Sequence, residues 1–260
     1  MLDFEKNVVQ LFQSKKIDFE FNAIEHYLVS EPVSIIFIAD CSLEEFNPKA
    51  EITVNSKRNI RIWEDEYLHH KDIIDSRILS LIGISSRIYA RETIVKTISL
   101  KELKEFLVIN HLNAPINAKH RYGLYHRKKL VAVAAFSRSC PIQDNGITYK
   151  SHELIRYCSL LRVTVVGGLS KLIHHFEQEK KPEHLMTYVD REWSDGGTYK
   201  KLGFDIVAKT PPQNFWLSLE NYERVAEKVL PKNKSASQLQ SEGWKRINNL
   251  GNLKLVKFLK

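Results

Sequence analysis

The sequence predicts a mixed α/β fold. Along residues 90–220, apolar runs of strand length alternate with segments of helical period. Ser99 and Glu102 have the spacing of a capping box ahead of a helical run, and the pair Gly167-Gly168 opens a second one, LSKLIHHFEQEK. No internal repeat interrupts this order.

The elements follow in turn. Phe4, Val8, Val9, Leu11 and Phe12 share one face of a helix over 3–16. IDFEFNAIEHYLV, VSIIFIAD, EITV and NIRIW read as strands separated by polar turns. In 64–83, Leu68, Ile73, Ile74, Ile78, Leu79 and Leu81 keep helical spacing up to a terminating Gly83. Residues 1–85 therefore form a small α/β unit, too small to hold much core by itself. Then come a strand at 93–98, a helix capped by Ser99, two strands about the polar turn RKK, and a strand at 152–160. A helix entered through Gly167-Gly168, a strand at 184–190, a short helix at 195–204 and two closing strands complete residues 86–225. Residues 226–260 read as an extension with a polar linker, a helical turn and a final strand.

Composition narrows the function. The chain has 260 residues, 43% of them hydrophobic. No apolar run approaches the roughly 18 residues that cross a bilayer, and the charged N-terminus has no secretory h-region. Cys41, Cys140 and Cys158 are unclustered. That pattern fits a reducing compartment, so a cytoplasmic protein without thiolate zinc is expected. The formal net charge is +8. Such a balance suits an anionic cofactor or nucleic acid and does not choose between them.

The element order and two motifs resemble the GNAT acyltransferases. The family's pyrophosphate turn, Gln/Arg-x-x-Gly-x-Gly/Ala, aligns with Thr164-Val165-Val166-Gly167-Gly168-Leu169, where Gly167 fits but threonine and leucine replace the outer residues. The family's L-Y-x-K-x-G-F aligns with Thr198-Tyr199-Lys200-Lys201-Leu202-Gly203-Phe204. The resemblance implies a GNAT-like mixed central sheet flanked by helices, with an acyl-CoA cofactor. Val166, Gly167, Gly168, Ser170 and Lys171 would hold its pyrophosphate at a helix N-terminus. Tyr199 would protonate the departing thiolate, and Leu169 would crowd the turn. The plainer reading has the glycines only turning the chain and Tyr199 packing at a helix end.

A narrower resemblance, carried by WEDEYLHHKDIIDSRI, HELIRYCSL, VVGGLSKL, TYVDREWSDGGTYKKLGF and PPQNFW, is to the GNAT-like C-terminal region of phage Hef-like homing endonucleases. It implies that residues 1–85 are a truncated, inactive nuclease remnant, with Asp40 and Glu51 as the best remaining acids and no metal.

The other candidates come from position. Glu153 lies on the strand where many GNAT enzymes keep a glutamate, and strict alternation sets it on the face opposite Arg156. Asp190, Arg191, Trp193 and Ser194 follow a strand end, where α/β sheets open their ligand crevices. There Asp190 is a base or a turn cap, Arg191 a phosphate clamp, and Trp193 a stacking platform or core filler. His111, before the second strand, is an acceptor-site candidate. The adjacent pairs His69-His70 and His174-His175 diverge on their helices and do not suggest a metal. Two functions remain: acyl transfer to an amine, with a nucleic-acid-linked amine among the acceptors considered, and non-catalytic nucleic-acid binding.

Overall fold

The computed structural model describes residues 1–39, 58–144, 146–230 and 234–259, so Asp40, Cys41 and Glu51 fall outside the described residues. The chain divides into two compact units. The first comprises Met1–Lys71, Asp190–Asp195 and Lys209–Asn252; the second, Asp72–Val189, Gly196–Ala208 and Leu253–Lys260.

In the first unit, helix α1 (Asp3–Ser14) buries Phe4, Val8, Val9 and Phe12, as its spacing predicts. Strands β1 (Glu20–Asn22), β2 (Tyr27–Ser30), β3 (Val33–Ile38) and β4 (Asn59–Trp63) form a sheet in that order. Strand β3 is buried at every position and runs parallel to β4. Helix α2 (Glu64–Leu81) leaves helical geometry at His70, and the chain passes into the second unit just beyond that break.

The second unit starts with β5 (Ser86–Tyr89), a short 3-10 turn at Ala90–Glu92, and β6 (Ile94–Thr97). In helix α3 (Leu100–Asn110), the Ser99 hydroxyl accepts from the Glu102 N–H, and the Glu102 carboxylate accepts from the Ser99 N–H. Strands β7 (His120–His126) and β8 (Lys129–Phe136) make a hairpin, and β9 (Cys140–Asp144) makes another with the long β10 (Ile147–Ser159). Then follow β11 (Val163–Val166), α4 (Gly168–Lys180), β12 (His184–Asp190), α5 (Gly197–Lys200) and β13 (Asp205–Lys209).

The chain next returns to the first unit as β14 (Asn214–Ser218), β15 (Arg224–Ala226), α6 (Ala236–Ser241) and β16 (Trp244–Asn248), and ends in the second as β17 (Asn252–Phe258). The large sheet has the order β13-β17-β12-β10-β8-β7-β6, with β9 on β10. It is the mixed, helix-flanked sheet that the sequence predicts. On one face, Ala132, Ala134, Phe136 and Leu154 pack with Leu169, Leu172 and Phe176 of α4. On the other, Val133 and Ala135 pack with Leu103, Phe106 and Leu107 of α3.

These units interleave, unlike the linear division expected at 85/86 and 225/226. The reason is packing: β14 and β16 form a sheet with β15, and their Leu217 and Ile247 bury against Ile38 and Trp63. The pairing of β5 with β11 was not visible in the sequence either.

Because the reciprocal cap satisfies two N–H groups at the start of α3, Ser99→Ala is expected to lower unfolding free energy by about 1 kcal/mol. Urea denaturation with an unchanged m-value measures it; no loss would contradict the cap's role.

Candidate functional site

Irregular pairing of β10 shapes the second unit. Strand β10 pairs in parallel with β12 only from Ser151↔His184 to Leu154↔Thr187. Beyond that point β10 stays with β8 as far as Ser159, while β12 runs on to Asp190. Two side-chain bonds hold the paired end: Ser151 Oγ to His184 Nδ1 at 2.8 Å, and Thr187 Oγ1 donating to the Leu154 carbonyl at 2.9 Å. At the point of parting, β10 also slips register against β8 between Leu154 and Arg156. An extra residue shifts the alternation by one.

That bulge corrects the face assignment made from strict alternation. Leu154 and Tyr157 both join the α4-side core, whereas Cys158 packs on the α3 side. Glu153 and Arg156 consequently interact. Burial raises the Glu153 carboxyl above its usual value and the Arg156 charge partly offsets it, while burial lowers Arg156. His111, at the end of α3, is pushed down to about 3 by burial and then by Arg77 and Arg156, so its ring is neutral. Its Nδ1 accepts from the Asn113 N–H at 3.0 Å. His111 is thus a neutral ring engaged with the backbone just past α3.

Tyr199 stands on the α4 side with Tyr157. It packs on the core there, with its ring 5.7 Å from that of Phe204. Burial, with Tyr157 alongside, raises its hydroxyl to about 12.

Helix α4 begins beside the same strand end. Gly167 is its N-cap at φ 76°, a conformation favouring glycine, and no side chain caps the first turn. A Cβ on Gly168 would lie 2.9 Å from the Tyr157 hydroxyl, so only glycine allows that approach. The exposed Ser170 occupies the third position of the helix. Leu169 itself is buried in the core, so it does not crowd the turn. Lys171 is not an open phosphate ligand, because its Nζ donates to the Ala90 and Thr93 carbonyls. Val166 closes β11 and is 41% exposed. As a test of fit to a diphosphate, the arrangement passes: a 13-residue helix presents uncapped first-turn N–H groups and a glycine clearing.

The remaining candidates belong to the first unit and form a turn. The Asp190 carboxylate accepts from the Glu192 N–H at 2.9 Å, and its carbonyl accepts from Ser194 at 3.0 Å. The Arg191 guanidinium donates to the Leu250 carbonyl at 2.6 Å. Trp193 is only 4% exposed, which removes it as a stacking platform and makes it core. Asp190 is thus the turn cap of the two roles considered for it.

The residue that the sequence reading missed here is Glu192. It is buried, and Trp63 Nε1 donates to its Oε1 at 3.0 Å. Arg224 lies nearby between Trp63 and Phe215, with centroid distances of 4.8 and 5.6 Å, and donates to Asp65 at 2.5 and 2.6 Å. Desolvation, then the charges of Asp190 and Glu66, hold the Glu192 carboxyl well above the usual range. The native state therefore binds a proton that the unfolded state releases above about pH 4.3. Stability from this group is full below that value and is lost as pH rises through the raised native value. Glu192→Gln should flatten the fall in unfolding free energy between those limits; an unchanged slope would contradict the assignment.

Among the described residues, no group of three or more His, Cys, Asp or Glu is placed to hold a metal ion. No described helix is long and apolar enough to cross a membrane.

No family model matches the chain. No curated protein matches it in sequence either. Among solved structures, it is similar to a Bacillus subtilis acetyltransferase in complex with CoA, at 14% identity and a TM-score of 0.41, over 65% of this chain and 99% of that one. A GNAT family acetyltransferase from Elizabethkingia anophelis with acetyl-CoA bound gives 11% identity and 0.36, over 65% and 99%. A Corynebacterium glutamicum structure described as a histone acetyltransferase and related acetyltransferase gives 11% and 0.41, over 65% and 97%.

Proposed function

We propose that the second unit transfers an acyl group from a CoA-type thioester to an amine, and that the amine belongs to a nucleic-acid-linked acceptor. The observation that carries this reading is the parting of β10 from β12 after Leu154↔Thr187. Where the pairing ends, Tyr157 and Tyr199 pack on the α4-side core and Glu153 interacts with Arg156; we read these groups and the start of α4 as lining one opening. The resemblance of residues 198–204 to the GNAT motif supports it further.

A bound thioester would supply an activated acyl carbon and a thiolate leaving group. The chain's own groups do the rest. The N–H groups at the start of α4 hold the anionic end of the donor. Glu153, on the α3 side, accepts the proton that an acceptor ammonium must lose before its nitrogen forms the new C–N bond; its raised pKa makes it a better base than an exposed glutamate. The Arg156 charge partly offsets that rise.

Tyr199 has a different role from the proton transfer that the motif implies. Moving a proton from a phenol at about 12 to a thiolate whose acid has a pKa of about 8.5 would cost roughly 5 kcal/mol. Tyr199 instead donates a hydrogen bond to the sulfur as the C–S bond breaks, and the thiolate takes its proton from solvent.

One observation favours non-catalytic nucleic-acid binding, the alternative descended from the phage endonucleases: Lys171 is tied to backbone carbonyls. A thermal-shift titration separates the two. Acetyl-CoA should raise the melting temperature, and Gly168→Ala should abolish the shift. In acyl-transfer assays, Tyr199→Phe should lower kcat by 10- to 100-fold without moving the acid limb of the pH profile, whereas Glu153→Gln should remove that limb. No shift with acetyl-CoA, together with a salt-sensitive shift with DNA, would overturn the acyl-transfer reading.

A further inference from the structure

The structure assigns a nucleic-acid strand to a basic rim formed by residues 87–96 and 127–129 of the second unit. The assignment deepens the reading of a nucleic-acid-linked acceptor and rests on it for the ligand's purpose.

Two segments meet at the end of the sheet where α4 begins. Strand β5 pairs with β11 so that Tyr89 faces Val166, and Ala90 Cβ lies 3.5 Å from the position a Gly167 Cβ would take. The chain then runs into β6, the edge strand, whose Ile94 pairs with Tyr125 one residue before the β7–β8 turn. This brings Arg91, Lys96, Arg127, Lys128 and Lys129, all exposed, towards one rim, while the Arg87 guanidinium donates to the Gly83 carbonyl at 3.3 Å. The only acid within the two segments is Glu92, and its carboxylate accepts from the Tyr89 N–H at 3.2 Å. The nearest other acid on the chain's course, Glu102, is bound by the Ser99 N–H and the Tyr125 hydroxyl.

Two features point to nucleic acid. Cations alternate with aromatic faces: the Arg91 guanidinium lies 4.8 Å over Tyr89, and Lys96 Nζ lies 5.2 Å over Tyr125. Tyr89 is 42% exposed. Phosphate-binding cations beside aromatic rings are the working parts of single-strand binding surfaces. The rim is also longer than one diphosphate, since β5 and β6 each extend more than about 10 Å.

The second feature is strain. Arg127 and Lys128 form the two-residue hairpin turn with φ of 46° and 67°. Such a turn favours Asn-Gly, and long side chains there work against folding. Charge placed at a conformational cost points to a function beyond closing the hairpin.

The double variant Arg127→Asn, Lys128→Gly separates function from folding, because it should leave the melting temperature unchanged or raise it. With a labelled single-stranded oligonucleotide in fluorescence anisotropy, the wild type should bind and weaken steeply between about 50 and 200 mM salt. The double variant should lose about tenfold in affinity, and its log–log salt slope should shrink by about 1.4, the share of two phosphate contacts. If the variant is destabilised, Arg91→Gln with Lys96→Gln at these exposed positions gives the same readout. Unchanged affinity in a folded variant, no oligonucleotide binding by the wild type, or binding to phosphatidylserine vesicles without oligonucleotide binding would each overturn the assignment. Acetyl-CoA thermal shifts run in parallel keep the readings apart. A retained shift with lost oligonucleotide binding supports the rim. Oligonucleotide binding without any acetyl-CoA response also supports the rim and removes acyl transfer.

Discussion

The hydrogen bond from Thr187 to the Leu154 carbonyl marks where two parallel strands stop pairing, and the rest of the second unit is arranged about that point. Up to that pair, ladder bonds and the buried Ser151–His184 contact hold β10 to β12. Past it, the two strands no longer pair with each other. Such parting needs compensation, and the flanking cores provide it. Phe136 and Phe176 stack 4.0 Å apart under the α4 face, and α3 buries Leu103 and Leu107 on the other. Both strands stay anchored while their ends diverge.

The bulge after Leu154 decides which groups face the opening. Without it, Tyr157 would share a face with Glu153. With it, Tyr157 reaches the N-terminus of α4, and Glu153 joins Arg156 and the His111 side. One inserted residue thus separates a phenolic side, where Tyr157 and Tyr199 are held above their ordinary pKa, from an ionic side. The proposed acyl transfer from a thioester to an amine would use that division: hydrogen bonding for the sulfur, and a base for the nitrogen.

Local signals made much of the fold legible. The Ser99–Glu102 box, the Gly167-Gly168 entry and the RKK turn each record physics within a few residues, and each element falls where its signal predicts. What stayed hidden depends on partners far along the chain. The bulge in β10 is set by register against β8, and the pairing of β5 with β11 joins residues about 77 apart. The long-range bond from Trp63 to Glu192 gave no local sign, so Trp193 stayed open between stacking platform and core filler, and Glu192 was overlooked. Lys171 was misjudged for a similar reason, because the carbonyls that occupy it lie in the β5–β6 connection.

Amide hydrogen exchange with and without acetyl-CoA tests the central claim most directly, namely that the parted strands and the start of α4 form one donor site. The account predicts slowed exchange confined to residues 155–159 and 167–170, the segments on the two walls of the opening. Equal exchange in both states, or protection located elsewhere in the chain, would contradict it.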